Sequence, residues 1–198
     1  MKSFSRYCLL AVILFSSYKT KNSQPKVKEY FTVPGPLSYN QTSYQLSWSA
    51  HPSANYYKQE YLPAGEKSAS FTHMLMVEAV TGDIAIKDVV SAKIKELEQR
   101  KKTDPMANYQ VIENKATGDY LLDFIMSEGN GSNTDVAEWN AYRYANLKGR
   151  KGIQLFAYST RGYGAAVNGF LKNLKIIRQK EISAFAAYKI PAVIIKNE

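Results

Sequence analysis

Six carboxylates fall on or beside segments that read as strands: Glu60, Glu78, Glu113, Asp123, Glu128 and Glu138. Two of them converging across a cleft could serve as acid and base on a glycosidic bond. No spacing selects a pair, and such acids more often form ion pairs or stay solvated. Nucleophilic hydrolysis needs a serine, a histidine and an acid brought together. The chain has two histidines, His51 and His73, and no G-x-S-x-G elbow accompanies either. His51 precedes Pro52 and reads as a loop residue, whereas His73, between Phe71 and Leu75, reads as a core imidazole. Two histidines this far apart give a metal site no support. Gly129-Asn130-Gly131 and Arg161-Gly162-Tyr163-Gly164 match neither the phosphate-binding loop nor the dinucleotide fingerprint. The sequence therefore assigns no catalytic residue, no metal ligand and no cofactor.

Binding chemistry is better represented. Arg143 shares a strand side with Trp139, Ala141 and Ala145. A guanidinium placed there needs a partner, because its charge cannot be discarded. Asp123 is the first expected partner and Glu60 the second. Tyrosines near strands, among them Tyr56, Tyr57, Tyr61, Tyr142, Tyr144, Tyr158 and Tyr163, could join Trp139 in stacking on sugars or filling a protein interface. Arg143, Asp123, Trp139, Glu60 and Tyr61 are the candidate binding residues.

The elements that would position them follow from hydrophobic periodicity. Asp135–Tyr163 reads as two strands folded back over the basic turn Lys148-Gly149-Arg150-Lys151-Gly152. Tyr56–Leu62 and Phe71–Val80 read as strands, the second covered on both faces. Ile86, Val90, Ile94 and Leu97 recur at helical spacing, with Asp83 as the expected N-cap and Asp104-Pro105 as the stop. Ala107–Lys115 and Tyr120–Ser127 add a hairpin. Val167, Phe170, Leu171, Leu174 and Ile177 form the stripe of a final helix, with Lys172, Lys175 and Arg178 placed outside it. Upstream, Pro34-Gly35-Pro36 and a Ser/Thr/Asn-rich stretch read as an extended lead-in that holds at most a short strand over Tyr44–Ser49.

Lys2 and Arg6 followed by the apolar run Leu9–Phe15 have the layout of a secretory signal peptide, too short to span a bilayer. The expected organisation is a signal peptide over 1–23, the lead-in over 24–55 and one α+β domain over 56–198. No transmembrane segment is expected once the signal is removed. Cys8 is the only cysteine and lies in that leader, so no disulfide is expected in the remainder. The formal charge is +9, of which Lys2, Arg6, Lys19 and Lys21 account for four. Much of the remaining excess lies after Lys172, where it could meet an anionic surface. Export and the lack of a recognisable motif argue against nucleic acid as a partner.

The expected fold is an α+β twisted antiparallel sheet of about six strands covered by two helices, in the order strand, strand, helix, four strands, helix. Over Tyr56–Tyr188 that order resembles the Mog1/PsbP-like fold. The segment Tyr57–Glu66 followed by Phe71–Leu75 is similar to stretches of exported bacterial proteins. The resemblance implies accessory or binding roles and brings no catalytic motif. A secreted or periplasmic, non-catalytic domain that binds a protein or cell-surface partner is the leading expectation. A small-ligand carrier, or a glycan or ester hydrolase using strand carboxylates, is the alternative.

Overall fold

The computed structural model describes residues 27–130 and 133–196. The signal-peptide expectation over 1–23 lies outside the described residues. In chain order the elements are β1 (Leu37–Tyr39), β2 (Thr42–Ser53), β3 (Tyr56–Pro63), β4 (His73–Thr81), α1 (Ile86–Arg100), β5 (Asn108–Asn114), β6 (Asp119–Asn130), β7 (Asn133–Asn146), β8 (Gly152–Tyr163) and α2 (Val167–Ala187). One sheet contains all eight strands, in the spatial order β1-β2-β3-β4-β8-β7-β6-β5. Every neighbouring pair runs antiparallel.

The expectation of about six strands is therefore wrong, and the element order is four strands, helix, four strands, helix. The two extra strands lie in the stretch read as a lead-in. Asn40 and Gln41, both at positive φ (45° and 61°), form a two-residue turn that pairs Tyr39 with Thr42. β2 then runs through His51 and Pro52 instead of stopping before them. The ladder is irregular between Ala50 and Ser53, so the missing proline N–H costs little there.

Strand alternation divides the side chains into two layers. On one face α2 closes over Leu75, Val77, Trp139, Phe156 and Tyr158, contributing Leu174, Ile182 and Phe185. Phe31 and Val193, from the chain segments that flank the sheet, complete this core. On the other face α1 sets Ile86, Val90 and Leu97 against Leu122, Phe124, Tyr144 and Leu155.

α1 begins without a side-chain cap. Ala85 holds the N-cap position, and Asp83, expected there, instead pairs with Lys151 at 2.7 Å on the surface. Its far end is better anchored. Asp104 accepts the Ser127 N–H (2.6 Å), the Ser127 hydroxyl (2.7 Å) and the Met106 N–H (3.0 Å). α2 approaches the sheet closely over Gly162, where a Cβ would lie 2.6 Å from that of Phe170. Any larger residue there would push the helix off β8.

Candidate binding groove beneath the second helix

Arg143 and Asp123 both lie on the α2 face, yet they do not pair. Asp123, fully buried, accepts from the Trp139 indole N–H at 2.5 Å and from Arg178 at 2.5 and 3.1 Å. Arg178 reaches down from α2 to a carboxylate that would otherwise be an uncompensated buried charge. Arg143 instead donates to the carbonyls of Phe185 (3.1 Å) and Tyr188 (2.7 Å). Those oxygens lie at the C-terminal end of α2, where the Phe185 carbonyl also takes the Tyr188 N–H at 3.3 Å, and a cation suits that end of the helix dipole. Burial pulls the Arg143 pKa down, with Asp119 opposing it. The expected Arg143–Asp123 and Arg143–Glu60 pairs are thus both replaced.

Glu60 and Tyr61 also leave the site. Glu60 faces the α1 side and pairs with Lys58 at 3.1 Å. Tyr61, fully buried, donates to the Val33 carbonyl and accepts from Gln59, each at 2.5 Å. Gln59 in turn takes the N–H groups of Tyr30 (2.6 Å) and Phe31 (3.1 Å), so this pair fastens the segment ahead of β1 to the sheet. Trp139 is the one of the five candidates that lines an accessible space.

That space is a groove of about 370 Å³. One wall is the α2 stripe Phe170, Asn173, Leu174, Ile177 and Glu181, and the other is the β1–β2 turn with Asn40, Thr42 and Tyr44. Trp139, Tyr158 and Thr160 form the floor, and Thr72 and His73 stand at the rim. Exposed Asn40, Thr72 and Asn173 keep the mouth open. Tyr158 shares a hydrogen bond with Tyr44, whose pKa burial pushes up to about 12.

His73 is exposed, not the core imidazole expected from its neighbours. Glu66 accepts from the backbone N–H groups of Thr72 (2.8 Å) and His73 (3.2 Å), and also from the Thr72 hydroxyl. Burial would raise the Glu66 pKa, but those three donors hold it below the usual carboxylate range. The Thr72 hydroxyl, having given its proton to Glu66, can only accept from the His73 Nδ1–H 3.0 Å away. His51, expected in a loop, lies in β2, stacked on Tyr57 at 3.9 Å and hydrogen-bonded through Nδ1 to the Tyr56 carbonyl.

The other acids are engaged separately. Glu138 holds Arg161 and accepts from Asn140 at 2.8 Å, while Glu78 faces Lys58 at 3.8 Å. Among the described residues no group of three or more His, Cys, Asp or Glu side chains could hold a metal ion. A larger cleft of about 600 Å³ includes Arg100, Asp104 and Ser127, whose polar groups already tie the end of α1 to β6. Among the described residues no helix is long and apolar enough to cross a membrane.

The architecture is that of an α+β domain with one helix on each face of an eight-stranded antiparallel sheet and a groove under the second helix. A protein-family model matches residues 31–190, and the chain belongs to that family. The match runs from Phe31, beneath the sheet, past the end of α2, so it includes every residue of the groove. No curated protein and no solved structure matches the chain.

Proposed function

We propose that this chain is an exported, non-catalytic binding domain whose groove beneath α2 receives part of a protein or cell-surface partner. The observation that carries the reading is the groove itself. Its volume of about 370 Å³ lies within the range of ligand-binding pockets, and its aromatic floor is ringed by a few polar groups. Export rests on the basic and apolar leader, and the resemblance to the Mog1/PsbP-like fold leans toward accessory binding. Against catalysis stands the employment of the acids: Asp123 is held by Arg178, Glu138 by Arg161, and Glu60 and Glu78 both by Lys58. A closed apolar cavity would favour a small-ligand carrier; the exposed mouth favours a partner whose chain continues outside.

Asn173→Trp tests the proposal, since it hangs an indole over the mouth from an exposed helix position. Affinity capture from the native envelope fraction should enrich a reproducible partner with the natural chain and lose it with the variant. Equal capture by both proteins would overturn the reading.

A further inference from the structure

Charge within the groove is uneven. Arg161 is taken by Glu138, and Arg178, just behind the wall, by Asp123. Glu181 has no ion-pair partner among the described residues. One of its oxygens accepts from the Asn40 side chain at 2.6 Å, which orients the carboxylate beside the Tyr39 hydroxyl. After burial, the Glu181 charge is a further cause raising the Tyr39 and Tyr158 pKa values. Its field therefore reaches the aromatic cluster at the floor. His73 stands at the rim with its Nδ1 turned to Thr72.

Aromatic faces and a carboxylate with no ion pair among the described residues together suit a donor-rich cation. The apolar part of the wall, Phe170, Leu174 and Ile177, suits an alkyl stem. We infer that the groove receives a lysine side chain of a protein partner, with Glu181 as its counter-ion. This rests on the groove being the binding site proposed above. The basic residues of α2 do not oppose such a ligand from within, since Lys172, Lys175 and Lys180 lie outside the groove lining.

The probes are Nα-acetyl-lysine methylamide, its uncharged counterpart Nα-acetyl-norleucine methylamide, and n-butylammonium, followed by amide chemical shifts on the whole chain. The lysine compound should shift His73, Asn173 and Glu181, butylammonium should bind more weakly, and the norleucine compound should leave them unmoved. Glu181→Gln keeps an acceptor for Asn40, so the turn stays docked, and it should weaken the lysine compound by about tenfold. Equal binding of the norleucine compound, no shift with the lysine compound, or no effect of Glu181→Gln would each overturn the inference. Tighter binding of butylammonium would assign the site to a free amine and overturn the lysine source. Partner capture separates the two claims: loss with Asn173→Trp but not with Glu181→Gln sinks only the lysine inference. Retention with both sinks the binding reading as well.

Discussion

Arg178 and Arg143 divide between them a task that one arginine was expected to perform. Arg178 neutralises Asp123, and Arg143 closes the end of α2. The sequence carried a signal for the first. Leu174, Arg178 and Ile182 follow one another at i, i+4, so Arg178 occupies a position on the buried stripe, not outside it. A charge at such a position calls for a buried acid, and Asp123 was the acid in reach. The two arginines should differ in cost. Arg178→Ala strands a fully buried carboxylate with the indole N–H and should cost about 3 kcal/mol, the low end for a broken buried pair because Arg178 is partly exposed. Arg143→Ala removes charge-assisted bonds to carbonyls and should cost about 2 kcal/mol. Urea unfolding of both variants checks the ranking; a larger loss for Arg143→Ala would contradict it.

Between elements, the junction of α1 with β6 depends on one carboxylate. Burial alone would raise the Asp104 pKa, but the Ser127 N–H and hydroxyl, the Met106 N–H and Arg100 hold it below the usual range. A depressed folded pKa adds stability above the unfolded value, near 4, and loses it as the pH falls through the folded value. The melting temperature of the natural chain should therefore drop more steeply below about pH 4 than that of Asp104→Asn. Parallel curves would show that the junction contributes nothing to acid sensitivity. Other elements were legible to different degrees. The alternation from Ala137 to Leu147 is regular, so the β7–β8 pair could be read directly. β1 and β2 could not, because Ser, Thr, Asn and Gln crowd Ser38–Ser49 and Pro52 looks like a stop. Their apolar members Leu37, Tyr39 and Tyr44 become informative only once α2 and β8 lie against them. The missing cap at Asp83 has a similar origin: its carboxylate goes to Lys151, sixty-eight positions away.

At the scale of the molecule, the groove is a product of topology. β8 sits between β4 and β7, and β1 and β2 lie beyond β3, so Asn40 and Glu181 meet across 141 positions. No sequence pattern links them, and Thr42, Thr160 and Asn173 are ordinary polar residues until the sheet gathers them. Trp139 was legible as a candidate because a large aromatic beside an arginine is conspicuous; the residues that make its surroundings a groove were not. On the proposed function, the partner meets this side of α2. A photo-crosslinking side chain at Asn173, inside the groove mouth, can be compared with one at Ile176, which is 81% exposed on the same helix and absent from the groove lining. Irradiation in the native envelope fraction should give a discrete adduct from position 173 and none from position 176. An adduct from 176 alone, or equal adducts from both, would contradict the claim.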